Sequence, residues 1–231
     1  RNLWTWVFRA SFFALFKIDP SRGSVVLLDV LGAEFQGVLG CDYFSAYRKY
    51  MGEHNVAVQF CLAHLIRDVK FLLTLPDKAT RRYGEELLSA LRKLFRVIHW
   101  REAMSADRFQ QSLERAAERA LHVGRCAPDR IEARNLAERF RKHGDAYFRF
   151  ITTPGIEPTN NLAEQALRFV VIDRRITQGT RSEKGRRWCE RSWTASATCA
   201  QQGRSLFNYL CSAVNAYFAR QPAPSLLPSG P

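Results

Sequence analysis

No stretch of the chain approaches the roughly 20 consecutive apolar residues that a membrane-spanning helix requires, so nothing points to a helical membrane protein. A signal peptide is not expected either, because Arg1-Asn2 leads straight into a strand-like segment. The chain does not begin with Met, and a fragment or a processed piece is the expectation. Six cysteines (41, 61, 126, 189, 199, 211) show no CxxC spacing. Reduced thiols in a cytosolic protein fit that scatter better than a disulfide framework. Internal repeats are absent. Acids are scarce beside bases, 22 against 35, which leaves a net charge of +13 and predicts attraction to phosphate on nucleic acid or on an anionic membrane.

Apolar residues, by contrast, are plentiful. A hydrophobic content of 46% with 16 Phe and 5 Trp suffices for a core and argues against wholesale disorder. A length of 231 residues suits one domain with an insertion, or two small ones. Two aromatic-rich runs, 3–9 and 12–18, read as a hairpin, and Asp19-Pro20-Ser21-Arg22-Gly23 as a turn. A short helix over 24–31 ends at Gly32. A third strand leads to Asp42, an amphipathic helix carries Phe44, Tyr47 and Tyr50, and 56–60 is a fourth strand.

From Leu62 the periodicity becomes helical. One helix runs over 62–75 and stops at Pro76. Leu87, Leu91, Leu94 and Ile98 mark a second, and Phe109, Leu113, Ala116, Ala117 and Ala120 a third. A fourth opens at Pro128 and closes at Gly144. Residues 151–159 form a loop, and a further helix begins around Asn160-Asn161. Two helices, near 187–201 and 204–219, follow, and 221–231 reads as a disordered Pro/Ser tail.

Within this basic chain, Asp42 in Gly40-Cys41-Asp42-Tyr43 stands where a buried strand meets its loop, a place suited to holding a metal ion. An Asp after a strand, followed far later by a Glu on a helix, is the logic of a two-metal nuclease site. Ions about 4 Å apart activate a water or a 3′-hydroxyl and stabilise the leaving oxygen. Hard oxygen ligands suit Mg²⁺ or Mn²⁺.

Three segments carry a resemblance. They are Gly37-Val38-Leu39-Gly40-Cys41-Asp42-Tyr43-Phe44-Ser45-Ala46-Tyr47, then Cys61-Leu62-Ala63-His64, then Glu157-Pro158-Thr159-Asn160-Asn161-Leu162-Ala163-Glu164-Gln165-Ala166-Leu167-Arg168. With Gln201-Gln202-Gly203-Arg204-Ser205 and Tyr209-Leu210, they resemble the bacterial transposases of the insertion sequence 66 family over nearly the whole chain. The resemblance implies an RNase H-like mixed sheet and a DDE active site that nicks transposon ends and joins them to target DNA. Asp42 matches the second acid and Glu164 the last, with Glu157 as runner-up. The first acid would precede Trp4, so the expectation is a sheet without its first strand and a catalytically incomplete fragment. The divisions expected are 1–76 for the first part of the core, 77–150 for an all-helical insertion, 151–186 for the core helix and basic segment, and 187–231 for C-terminal helices and tail.

Each of these residues has a plainer reading. Asp42 is also a good N-cap for the helix after it. Asn161-x-x-Glu164 resembles a capping box, and Glu164 to Arg168 is a well-oriented ion-pair spacing. Glu157 precedes a proline in a loop, where rigid ligand geometry is harder to hold. Cys61 and His64 make a weak half zinc site. The resemblance instead suggests the Cys/Asp-x-x-His signature of several transposase families, supporting the site or positioning DNA; a buried Cys beside a capped His is equally open. Asn160 and Asn161 either cap a helix or orient Glu164 and a phosphate.

Arg168, Arg174, Arg175, Arg181, Lys184, Arg186, Arg187 and Arg191 follow closely on the Glu164 helix, which favours phosphate contact over a merely solvated face. Trp188 and Trp193 are better placed in a core than stacked on bases. The expected protein is a DNA transposase fragment using two Mg²⁺ or Mn²⁺ ions, cytoplasmic and nucleoid-associated. Its expected partners are DNA, copies of itself and accessory proteins of the same element. A DNA-binding or assembly remnant without catalysis is the rival, and a helical RNA-binding protein a weaker one.

Overall fold

Alternation decides the first two elements. The computed structural model describes residues 2–227, in which β1 (Trp4–Arg9) and β2 (Ala14–Asp19) pair antiparallel with Phe8 opposite Leu15. Ala14, Phe16 and Ile18 of β2 are buried in turn, the period of two that a one-faced strand shows. Phe12, expected within the second strand, lies instead in the connection and is exposed.

These residues belong to one of two compact units, formed by Arg1–Val26 with Asn161–Pro231. Its core gathers Ala14, Phe16 and Ile18 with Val170 of α7 (Asn161–Thr177) and with Cys189 and Trp193 of α8 (Glu183–Gln201). Trp193 meets Phe16 edge to face at 6.0 Å, as aromatic quadrupoles prefer. Helix α8 starts earlier than the sequence suggests, because the Ser182 hydroxyl accepts the Gly185 N–H and caps it. Trp188 on its outer side is 68% exposed, so core packing holds for Trp193 and fails for Trp188.

Helix α8 also lies along one edge of the hairpin. Thr198 Oγ accepts the Ala14 N–H and donates to the Ala14 carbonyl, Thr194 Oγ accepts the Phe16 N–H at 3.0 Å, and a Glu190 oxygen accepts the Ile18 N–H at 2.6 Å. Acceptors four residues apart on the helix thus meet donors two residues apart on the strand. The last helix, α9 (Leu206–Phe218), is capped by Ser205 and buries no residue. Of the tail expected to be disordered, 221–231, residues 221–227 carry no helix or strand, and their Ser225 and Leu226 carbonyls accept from Arg204 and Gln202, while 228–231 lie outside the described residues.

The other unit is Leu27–Asn160. Helix α1 (Val25–Leu31) ends at Gly32, whose φ of +78° suits glycine, and whose carbonyl accepts the buried Tyr50 hydroxyl at 2.6 Å. Strand β3 (Val38–Cys41), helix α2 (Ser45–His54) and strand β4 (Ala57–Phe60) form a crossover that leaves the two strands parallel, with Cys41 opposite Phe60. The fold is therefore mixed α/β and mostly helical. Among the described residues the strands form two separate pairs, one antiparallel and one parallel.

Four helices complete this unit: α3 (Leu62–Leu72), α4 (Lys78–His99), α5 (Ala106–Arg125) and α6 (Ile131–Phe148). Helix α3 stops at Leu72, short of Pro76, because the N–H groups of Leu73, Thr74 and Leu75 each reach back three residues and tighten the end into a turn. Helix α6 is interrupted at His143 (φ −137°, ψ 25°), one residue before the expected close at Gly144, and helical turns resume from there to Phe148. A Cβ at Gly144 would lie 2.7 Å from Leu121 Cδ2, so this glycine also serves close approach to α5. Gly124 plays the same part on α5, where a Cβ would meet the Phe140 ring at 2.7 Å, while its carbonyl accepts the Tyr83 hydroxyl at 2.6 Å.

Buried Gln59 fastens α6 to β4. Its amide donates to the Tyr147 carbonyl at 2.9 Å and accepts the Phe150 N–H at 2.9 Å. Arg149 Nε adds a bond to the Val58 carbonyl at 3.1 Å. The Gln59 side chain thereby satisfies backbone groups of Tyr147 and Phe150, and Arg149 satisfies the Val58 carbonyl of the strand.

Candidate metal and nucleic-acid site

Parallel strands β3 and β4 finish side by side, and the crevice beyond their carboxyl ends is the usual ligand position in α/β folds. Asp42 stands at the end of β3. One of its oxygens accepts the Phe44 N–H at 3.0 Å, a local turn ahead of α2, whose N-cap position is Phe44. Asp42 is therefore not the N-cap of α2, and its second carboxylate oxygen has no part in that turn.

At the end of β4 the Cys61 N–H donates to the Cys41 carbonyl at 2.7 Å. The loop returning from α6 is stitched to this point: the Leu62 N–H donates to the Pro158 carbonyl at 2.9 Å, and the Asn160 N–H points to Cys61 Sγ at 3.4 Å. Asn160 is thus tied to Cys61, and Asp42, Cys61 and His64 share one cleft. A cleft of about 240 Å³ is walled by Asp42, Tyr43, Cys61, His64, Asp68, Arg139 and Tyr147, with Phe44 and Leu65.

Electrostatics in the cleft follow from burial. The Cys41 thiol is pushed well up by burial, then by the Asp42 carboxylate and Cys61, and remains an inert S–H. Burial likewise raises the Tyr147 phenol. It works against the Arg139 charge, but the Asp68 carboxylate and Tyr147 outweigh it, and Arg139 is held above its ordinary value. Burial, then Arg48 and Lys142, lowers the His143 imidazole.

Donor chemistry allows a hard cation here. Asp42 offers one carboxylate oxygen beyond its turn, and the Asn160 side-chain oxygen is buried without a hydrogen-bond partner. Oxygens of this kind suit Mg²⁺ or Mn²⁺ better than a soft metal. Among the described residues, no three His, Cys, Asp or Glu side chains gather closely enough to hold an ion by themselves.

Glu157 is exposed on the loop anchored at Pro158. Glu164 lies in the other unit, in the first turn of α7, where it lines a shallow groove with Leu167, Arg168, Val171 and Ile172. Asn161 is the first residue of that helix rather than its cap, so the capping-box reading does not hold in its simple form. Arg168, Arg174 and Arg175 are exposed on α7, Arg181 on the following loop, and Lys184, Arg187 and Arg191 on α8, with Arg186 half-buried. The acids among them are engaged. Glu183 pairs with Arg187, Glu190 faces β2, and Asp173 accepts the Trp193 Nε1–H at 3.1 Å.

The model of the transposase IS66 family matches residues 1–187. The chain belongs to that family. Comparisons with curated proteins and with solved structures each returned no match. Membership in the IS66 family makes this a transposase in general terms, with DNA as the implied partner. No helix among the described residues is long and apolar enough to cross a membrane.

Sequence reading did not single out Asp68, Arg139, Tyr43 or Tyr147. Asp68 follows His64 by four on α3, a same-face spacing that was visible in principle. Arg139 left no such trace, since it reaches Asp68 across 71 residues of sequence.

Proposed function

We propose that this IS66 family chain carries part of a DDE active site on an RNase H-like fold, a fold that mixes antiparallel and parallel strands as these two pairs do. Asp42 and Glu164 are the metal-holding acids, and Cys61, His64, Asn160 and Asn161 support them. The observation that carries the reading is that Asp42, Cys61 and His64 share one cleft beyond two parallel strand ends, with Asn160 tied to Cys61. Two Mg²⁺ or Mn²⁺ ions, when bound, would supply nucleophile activation and charge neutralisation at phosphorus.

The chain's own contribution is placement. Asp42, fixed by its turn, directs one oxygen at the reacting phosphate region, and Glu164 supplies the second carboxylate. Arg168 to Arg191 hold the DNA backbone, so that water first cuts the transposon end and the freed 3′-hydroxyl then attacks target DNA in line. In this reading 1–76 and 151–186 form the catalytic core, 77–150 an insertion and 187–231 a C-terminal element. Copies of the chain act together. A second reading, a DNA-binding or assembly module without catalysis, draws support from the absence of a three-ligand cluster among the described residues.

Strand transfer with Mg²⁺, run on the longest reading frame that contains this chain, separates the two. Asp42→Asn and Glu164→Gln should each abolish joining while DNA binding persists. Full activity in either variant removes that acid from the mechanism, and Glu157→Gln in parallel decides between the two glutamates.

A further inference from the structure

Tyr43 follows Asp42 directly, and its ring is the most heavily braced group around the cleft. The Arg48 guanidinium lies 4.6 Å from the ring centroid and the Arg139 guanidinium 4.7 Å. Phe60 meets it edge-on at 5.0 Å, and Tyr147 stacks nearly parallel at 6.2 Å. Arg139 comes from α6, which Gln59 and Arg149 fasten to β4, so its guanidinium starts from a fixed base. It is also paired with Asp68 on α3. A guanidinium paired with a carboxylate and laid over an aromatic face is held in one orientation.

We propose that Arg139 is a positioning residue for the acidic site: anchored by Asp68, it holds the Tyr43 ring and thereby the turn that presents Asp42. This rests on the reading of Asp42 as a metal ligand. The helical segment after β4 then does more than fill sequence between two acids, because it reaches back to set the geometry of the first of them. A planar cation over a tyrosine face is the element that lysine cannot reproduce.

The test is Mn²⁺ binding to this chain, followed by the electron paramagnetic resonance signal of free Mn²⁺, with circular dichroism to verify folding. Asp42→Asn should remove the binding. Arg139→Met and Asp68→Asn should each weaken it by about 10-fold, the scale on which outer partners act on metal ligands. Arg139→Lys, which keeps the charge and disturbs the fold least, should still lose several-fold. Tyr43→Phe should bind as the parent does, since the ring remains. Normal binding in the Arg139 variants, beside its loss in Asp42→Asn, overturns the positioning role and leaves the metal reading intact. Retained binding in Asp42→Asn overturns the metal reading itself. DNA affinity against salt supplies the remaining control. The slope should be unchanged in Arg139→Met, and a decrease of about one unit would make Arg139 a phosphate contact instead.

Discussion

The two compact units spend their apolar residues differently. In the unit of Leu27–Asn160, helix α4 buries Tyr83, Leu87, Leu88, Leu91 and Leu94, α5 buries Leu113, Ala116, Ala117 and Ala120, and α6 buries Leu136, Phe140 and Tyr147. In the unit built around the hairpin, α7 buries Val170 alone, and α9 buries nothing although it carries Phe207, Leu210, Val214 and Tyr217. Helical periodicity is present in both. Where neighbours use it up it reports a core; where they do not, the same spacing reports a surface.

The largest effects should come from the proposed chemistry. Asp42→Asn and Glu164→Gln should each lower strand transfer by more than the roughly 100-fold that losing an outer-shell partner costs. A marked inequality would assign the metals chiefly to the acid whose loss costs more. Next comes the burial contrast itself. Leu91→Ala, fully buried, should cost about 2–5 kcal/mol in chemical denaturation, whereas Phe207→Ala, 74% exposed, should stay within about 0.5 kcal/mol. Equal costs would mean that α9 is covered in solution.

A smaller effect tests the hairpin. Thr198→Val strips both Ala14 backbone groups of their partner and should cost about 1–3 kcal/mol.

The smallest effect concerns Asp77 at the start of α4. The Thr80 N–H, the Thr80 hydroxyl and then Arg130 hold its carboxyl down at about 2, against an ordinary 3.8. A lowered folded value stabilises fully above about pH 4 and is lost as pH falls through about 2. Asp77→Ala should therefore melt slightly below the parent at pH 7. That gap should narrow between pH 4 and pH 2 in a series of thermal melts, and a gap unchanged down to pH 2 would rule out the charge as its source.

Elements with a local signature were legible. The hairpin announced itself by alternation, α1 by Gly32, and α4 and α5 by leucine and alanine spacing. Gly144 marked the break in α6 at His143, but its second part, admitting Leu121 of α5, has no sign in one dimension. Ser182, inside the basic stretch, gave no cap reading because the helix after it was expected to start only near 187. At the candidate site the positions of Asp42 and Cys61 could be read because each follows a strand end directly, and that of His64 because it lies in the first turn of the helix after Cys61. Arg139 could not, since its place shows only in its contacts with Asp68 and Tyr43, far away in sequence. Long-range pairing of that sort has no periodicity to betray it.

The side chains of Glu190, Thr194 and Thr198 occupy the outward donors of β2. A sheet edge with its N–H groups already taken is closed to strand addition. The hairpin therefore has a built-in direction of growth. Any strand that joins it, from this polypeptide or from another, must enter along β1.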